Sequence, residues 1–159
     1  MHPLRQSRQP ILVSQRSRSG KNNGRRNSHP STLSVLKKYE IPVHVIHGNN
    51  TGDLYTMGIV ANKADNLISY YGQDARLDLG NKQIFVVHYP HYARGMALTG
   101  DWDIVCCGHS HKPIIDKIKS IKNSETLLMN PGSVAGLDGD ATFIFGDTES
   151  MEFKIIKFQ

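Results

Sequence analysis

The sequence lacks several features that mark whole classes of proteins. No apolar run approaches the 18 residues typical of a membrane-spanning helix, so no membrane span is expected. Residues 1–30 also lack the apolar centre of a secretory signal. The only two cysteines, Cys106 and Cys107, are adjacent, and on a strand their side chains would point to opposite faces. A disulfide between them is therefore not expected, which favours a reducing, cytoplasmic setting.

Acidic residues are missing from the first quarter of the chain. Residues 1–39 contain nine Lys or Arg and no Asp or Glu, whereas residues 40–159 contain ten Lys or Arg and all fourteen acids. Residues 1–30 show no hydrophobic period and cannot bury enough apolar surface to offset the entropy of ordering. We predict a disordered basic tail over residues 1–30 and one folded domain over residues 31–159. A solvated tail is favoured over nucleic-acid binding, because no aromatic residue is interleaved with these charges.

The remaining chain alternates between strand-like and helix-like segments. Apolar, bounded runs predict strands at 42–48, 84–90, 102–108 and 126–132, and helices at 31–40 and 92–100. Residues 141–147 and 152–158 predict a closing antiparallel pair. Residues 62–82 are polar and rich in turn signals, and no assignment is made inside them. Strands that are apolar on both faces indicate covered sheets, and hence an α/β fold of the α+β sandwich type.

Polar and imidazole groups follow four of these predicted strands. The loops at the carboxyl edge of a sheet are where α/β folds build their sites, and a stiff buried strand places the next residue with little entropy cost. Imidazole is the usual ligand of borderline divalent metals, and an Asn carbonyl oxygen suits Mn or Fe. The pattern therefore predicts a metal site formed by these strand ends, which carry Asn49 and Asn50, then His88, then His109 and His111, and finally Asn130.

The other polar residues near the strand ends have more ordinary interpretations. His44 is interpreted as a partly buried strand residue, and His47 and His91 as surface residues or supports for the neighbouring ligands. The segment "NPGSV" at 130–134 is either a tight connection or a support for the site, and the residues alone leave both readings open.

The motifs "GNN", "VVH", "GHSH" and "NPGSV" resemble, in this order, those of the calcineurin-like metallophosphoesterase superfamily. Within it, the chain is most similar to the small single-domain phosphodiesterases of the YfcE type, over roughly residues 36–158. The resemblance implies a metallophosphoesterase-like β-sandwich with flanking helices. It also implies metal-dependent hydrolysis of a small phosphate ester, by phosphodiesterase or phosphatase activity.

The resemblance further implies a dinuclear metal centre. In such a centre Asn49, His88 and His109 bind the second metal, and His111 binds the first. Mn²⁺ is the expected ion, with Fe, Ni or Zn as alternatives. Two ions close together polarise the phosphoryl oxygens and stabilise an in-line displacement. Asn50 and Asp53 are expected to act on the substrate side.

The chain also departs from the family pattern. The family opens with a D-x-H strand end and a later G-D strand end, but no D-x-H occurs here, and every Gly-Asp pair lies after the G-N-N motif begins. We therefore expect the N-terminal βαβ unit to be missing and the activity to be impaired, as in a truncated or misassembled enzyme. The alternative is a catalytically inactive protein-binding scaffold of the same fold. A homo-oligomer is left open.

Overall fold

The computed structural model describes residues 38, 40–50, 52–63, 67–136 and 139–158. The predicted disordered tail at 1–30 and nearly all of the predicted helix at 31–40 lie outside these residues. Within the described part, the chain forms two helices and nine strands. In chain order these are β1 Val43–Val45, α1 Leu54–Asn62, β2 Ile68–Tyr70, β3 Asp74–Leu79, β4 Lys82–Val87, α2 Pro90–Thr99, β5 Ile104–Cys106, β6 Ile114–Lys119, β7 Glu125–Asn130, β8 Ala141–Asp147 and β9 Glu152–Phe158.

The central sheet has five strands in the order β3-β4-β5-β7-β6. The three inner strands β4, β5 and β7 are parallel, and an antiparallel strand flanks them on each side. Strands β1 and β2 form a separate parallel pair, and β8 and β9 form an antiparallel hairpin. Because parallel strands run in the same direction, the carboxyl ends of β4, β5 and β7 meet at one edge of the sheet.

The central sheet is covered on both faces, as its apolar inner strands predict. The three residues of β5 are fully buried, and they alternate between the two faces. Val105 packs in a cluster with Ala93 and Ala97 of α2, whereas Ile104 and Cys106 pack with Ile144 of β8. At about 25 cal/mol per Å² of buried apolar surface, these two clusters are the main stabilising contribution to the fold. The α/β sandwich predicted from the sequence is confirmed.

The predicted strands and the predicted second helix all form, and four elements are additional to the prediction: α1, β6, and the strands β2 and β3 within residues 62–82. Helix α1 buries Met57 and Ala61, one turn apart, and is capped by Asp53, which accepts a hydrogen bond from the backbone N–H of Thr56. Strand β6 is an edge strand whose exposed lysines hide its apolar alternation. Both thiols are free and buried, so no disulfide joins Cys106 to Cys107.

Candidate metal centre

Three of the motifs singled out in the sequence are placed at one edge of the central sheet. Val86 of β4 pairs with Cys106 of β5, and Cys106 pairs with Met129 of β7. The residues that follow these three positions are therefore neighbours in space. This pairing brings together His88, the segment Gly108–His111 and Asn130.

The asparagine of the G-N-N motif joins the same edge, although it follows a strand of another sheet. Oδ1 of Asn49 lies 2.7 Å from Nε2 of His88 and 3.3 Å from Nδ1 of His109. The two imidazole nitrogens lie 3.1 Å apart. Three residues that are far apart along the chain thus direct one polar atom each to a common point.

Gly48 allows this approach. A Cβ atom at position 48 would lie only 2.5–2.9 Å from three ring atoms of His88, which no real Cβ contact tolerates. The ring of His88 therefore occupies the space that a side chain at position 48 would fill. This explains why the residue before Asn49 is a glycine.

The G-H-S-H segment turns away from β5 in an unusual backbone conformation. His109 has φ of 64° and His111 has φ of 58°, both in the left-handed region that non-glycine residues seldom adopt. The N–H of Gly108 donates to the carbonyl of His88 at 3.0 Å, and the N–H of Ser110 donates to the carbonyl of Gly108 at 2.7 Å. These bonds tie the segment to the end of β4 and present the His109 ring beside His88.

Asn130 braces the same segment from the end of β7. Its side chain is 1% exposed, and its amide N–H groups donate to the carbonyl of Gly108 at 2.8 Å and to Oγ of Ser110 at 3.0 Å. Its Oδ1 accepts from the N–H of Gly132 at 3.0 Å. The segment "NPGSV" is thus both a tight connection and a support, which resolves the two readings of the sequence.

The surroundings of His88 keep its imidazole neutral. Burial lowers the pKa of His88 below its usual value of 6.5, and the imidazoles of His109, His111 and His47 lower this pKa further. A neutral imidazole has a nitrogen lone pair available for a metal. His111 thus lies close enough to influence His88, but the convergent atoms are those of Asn49, His88 and His109.

Two tyrosines border the site, and no sequence pattern predicted either of them. The ring centroid of Tyr89 lies 4.9 Å from those of His88 and His109, so this half-exposed ring forms a wall beside both imidazoles. The hydroxyl of Tyr70 lies 2.6 Å from Nδ1 of His47, which fixes the orientation of that ring. Tyr70 ends strand β2 and Tyr89 precedes helix α2, and in sequence a Tyr at either place looks like any aromatic of the core.

The predicted substrate-side residues lie in the G-N-N motif and shortly after it. Asn50 is exposed, and Asp53 caps α1. Both carboxylate oxygens of Asp53 accept hydrogen bonds from Thr56, one from its N–H at 3.1 Å and one from its hydroxyl at 2.5 Å. These bonds lower the pKa of Asp53, so its carboxyl group is ionised at neutral pH.

The convergent atoms suit a divalent metal in type and in spacing. Ligand atoms bound about 2.0–2.2 Å from one ion lie about 2.8–3.6 Å apart at ordinary coordination angles. The three observed separations, 2.7, 3.1 and 3.3 Å, are close to that range. The convergent set consists of one amide oxygen and two imidazole nitrogens, so it contains no carboxylate. Among the described residues, no group of three or more His, Cys, Asp or Glu side chains is placed to hold a metal.

Comparison with solved structures shows the same fold in other proteins. An archaeal phosphodiesterase superposes with a TM-score of 0.67 and 23% identity, over 79% of this chain and 76% of that chain. A conserved uncharacterized protein of Streptococcus pneumoniae TIGR4, predicted to be a phosphoesterase, superposes with a TM-score of 0.58 and 14% identity. This match covers 96% of this chain and 90% of that chain. Vacuolar Protein Sorting 29 of Cryptosporidium parvum superposes with a TM-score of 0.57 and 15% identity, over 84% of this chain and 78% of that chain. No curated protein matches the chain.

A family model matches most of the sequence. It describes the calcineurin-like phosphoesterase superfamily domain and matches residues 26–151, which include all the motifs at the sheet edge. The chain belongs to the calcineurin-like phosphoesterase superfamily.

Proposed function

We propose that this chain binds a divalent metal through Asn49, His88 and His109 and acts on phosphate esters. The observation that supports the proposal best is the meeting of one oxygen and two nitrogens within 3.3 Å at the carboxyl edge of the sheet. Neutral imidazoles and an amide oxygen suit Mn²⁺ or Zn²⁺. A divalent ion bound there supplies Lewis-acid polarisation of a phosphoryl oxygen.

The residues of the chain then have distinct roles. His88 and His109 donate nitrogen lone pairs, and Asn49 donates its carbonyl oxygen. His111, two residues after His109, is assigned to the other ion of the pair, the first metal of the family pattern. The substrate we propose is a small phosphodiester or phosphomonoester, and the chain is proposed to act in the cytoplasm.

Of the two residues expected on the substrate side, Asn50 is proposed to contact the ester, whereas Asp53 is not proposed to act there as a proton donor. Asp53 is ionised at neutral pH because Thr56 donates two hydrogen bonds to it. An ionised carboxylate cannot give a proton to a leaving group. We therefore assign Asp53 the role of holding the N-terminus of α1, which keeps the preceding G-N-N loop in place. The amide of Asn50 is free of charge and suits hydrogen bonding to the ester.

The activity is proposed to be low compared with that of a complete dinuclear centre. The donor set has no carboxylate, and the D-x-H motif that supplies first-metal ligands in the family is absent from the sequence. An anionic ligand both increases affinity for a cation and bridges two ions. We expect weak binding and slow turnover for this reason.

Metal titration combined with a hydrolysis assay tests the proposal. Calorimetric titration of the purified chain with Mn²⁺ should show saturable binding, which His88→Ala and His109→Ala abolish. His91→Ala is the matched control, because His91 packs against Tyr89 without joining the convergent set. Hydrolysis of bis-p-nitrophenyl phosphate should be slow, dependent on Mn²⁺, and lost in the same two variants. Absence of saturable Mn²⁺ binding to the unsubstituted chain would reject the proposal.

A protein-binding scaffold is the second candidate, and the neutral donor set favours it. A site without a carboxylate is less able to retain a cation, so the same sheet edge would then serve only as a structural feature. A chain that binds neither Mn²⁺ nor Zn²⁺ but forms a stable complex with another protein would support this function.

A further inference from the structure

Asn130 is a buried polar side chain. It is not among the proposed metal ligands Asn49, His88 and His109. We propose that Asn130 is a positioning residue that holds His109 in its ligand conformation by clamping the residues on both sides of it. This inference rests on the proposed function, since it assigns a role within the same metal site. Asn130 itself does not contact the convergent atoms.

The hydrogen bonds of Asn130 bracket His109. One amide N–H donates to the carbonyl of Gly108, and the other donates to the hydroxyl of Ser110, so the residues before and after His109 are both fixed. The carbonyl of Gly108 also accepts from the N–H of Ser110. The carbonyl oxygen of Gly108 therefore accepts two hydrogen bonds, one from within the turn and one from Asn130 at the end of β7.

The orientation of the Asn130 amide is determined by its partners. Its oxygen faces a donor, the N–H of Gly132, and its nitrogen faces two acceptors. If the amide were rotated by 180°, its oxygen would face the carbonyl oxygen of Gly108, and its N–H groups would face the N–H of Gly132. Neither pair could form a hydrogen bond. Only an amide offers both functions here, because a carboxylate could accept from Gly132 but could not donate to Gly108 when ionised.

The far side of the clamp is itself fixed in the core. The fully buried Thr142 of β8 donates from Oγ1 to the carbonyl of Pro131 at 2.7 Å. Gly132 has φ of 79°, and a Cβ there would lie 2.2 Å from the Thr142 hydroxyl, so this position accepts only glycine. The clamp thus links β8 and β7 to the loop that carries His109.

His109 needs such a clamp because its conformation is unfavourable by itself. It is an exposed residue in the left-handed region, beyond the end of β5. If its neighbours were free to move, the backbone would relax to the ordinary region and the ring would turn away from His88. Partners that orient metal ligands in this way commonly change metal affinity about 10–100-fold when they are removed.

The test compares two ways of removing a buried hydrogen bond from the same strand. Asn130→Asp at pH 8 retains the acceptor for Gly132 but loses both donors. Thr126→Val is the matched control, since Thr126 is fully buried at the other end of β7 and donates to the carbonyl of Trp102 at 2.7 Å. Each protein is titrated with Mn²⁺, and amide hydrogen exchange is measured for residues 108–110 in the metal-free protein.

We expect Asn130→Asp to weaken Mn²⁺ binding about 10–100-fold. The amides of residues 108–110 should exchange faster, whereas Thr126→Val should leave both quantities unchanged even if it unfolds at a lower temperature. Wild-type exchange rates at residues 108–110 in Asn130→Asp would overturn the inference. So would equal Mn²⁺ affinity in Asn130→Asp and the unsubstituted chain.

A second variant decides the question if Asn130→Asp does not fold. Ser110→Ala removes one of the two anchors from an exposed position, so the core is untouched. It should produce a smaller change in the same direction, and unchanged exchange of residues 108–110 would overturn the inference. If the unsubstituted chain binds no Mn²⁺, the proposed function fails, but the exchange comparison in metal-free protein still decides whether Asn130 orders the His109 turn.

Discussion

The Oδ1 atom of Asn49 lies 2.7 Å from Nε2 of His88, although 39 positions separate the two residues in the chain. Asn49 follows the two-stranded β1–β2 sheet, and His88 follows the central sheet. Their contact depends on how the two sheets pack. Ile46, just before the G-N-N motif, packs against the cluster that contains Ile104 and Ile84, and this packing delivers Asn49 to the edge of the central sheet.

Gly48→Ala should disrupt the site without disturbing the core. The added methyl group would overlap the His88 ring, so the ring must move away from Asn49 and His109. We expect Mn²⁺ affinity to fall by at least about 10-fold, as for other changes that reorient a ligand. Calorimetric titration measures this affinity.

The control for this variant is Gly58→Ala, in the middle of α1. A Cβ at Gly58 meets no atom within 4 Å, so this variant should keep its Mn²⁺ affinity. It should also gain about 0.5–1 kcal/mol in the free energy of unfolding, because alanine is favoured over glycine in a helix. Equal Mn²⁺ affinity in both variants would show that Gly48 does not control the His88 position.

The two thiols should be unreactive in the folded protein. Burial raises the pKa of Cys106 to about 12 and that of Cys107 to about 11, and the thiolate is the reactive form. Ellman's reagent at pH 8 should modify neither thiol of the native chain and both thiols in 6 M guanidinium chloride. Rapid modification of one thiol under native conditions would place a cysteine at the surface and contradict the packing of β5.

Stability should decrease in mild acid, partly because of His44. Its side chain is half-buried in β1 with Nδ1 2.7 Å from the Tyr71 hydroxyl, and burial lowers its pKa from the usual 6.5. Below pH 6.5 the unfolded chain then binds more protons than the folded chain, so the free energy of unfolding falls as pH falls through this window. His47 and His88 have pKa values lowered in the same direction.

Thermal unfolding between pH 7.5 and 5.0 measures this effect. His44→Gln can still bond to the Tyr71 hydroxyl but does not titrate, so its melting temperature should fall less steeply with pH. Identical pH profiles for the two proteins would exclude His44 as a contributor.

Two substitutions of Asp53 distinguish a role in capping α1 from a direct role in hydrolysis. Asp53→Asn retains a good cap, whereas Asp53→Ala removes the bonds to Thr56 and should lower the melting temperature by about 2–4 °C. If Asp53 acts by holding α1, the Asn variant should keep the hydrolysis rate. A rate that falls equally in both variants would instead assign a direct role to the carboxylate.

The architecture could be predicted from the sequence to a large extent. The strands with long apolar runs, such as the one before Gly108, were predicted correctly because they are buried on both faces and need no partner to be recognised. Helix α1 was not predicted, because its sequence contains Gly58 and the β-branched residues Thr56, Ile59 and Val60, which lower helix propensity. Strand β6 was missed because an edge strand carries charged side chains that obscure its period.

The residues that converge at the sheet edge were also singled out from the sequence, but their geometry was not. Motif order singled out Asn49, His88 and His109, and the structure brings these three side chains together, whereas their binding of a metal stays a prediction. Tyr89 and Tyr70 had no recognisable signal, because contacts with the rings of His88, His109 and His47 are made only after distant strands pair.

The sequence alone determined the buried strands, the second helix and the side chains available for chemistry, because burial patterns and turn residues are local properties. The tertiary structure alone decided that one oxygen and two nitrogens meet at a point, that Gly48 makes room for His88, and that Asn130 clamps the turn of His109. These distances depend on the register of parallel strands and on the packing of two sheets, and both are set by contacts between residues 20–60 positions apart, which no local pattern encodes.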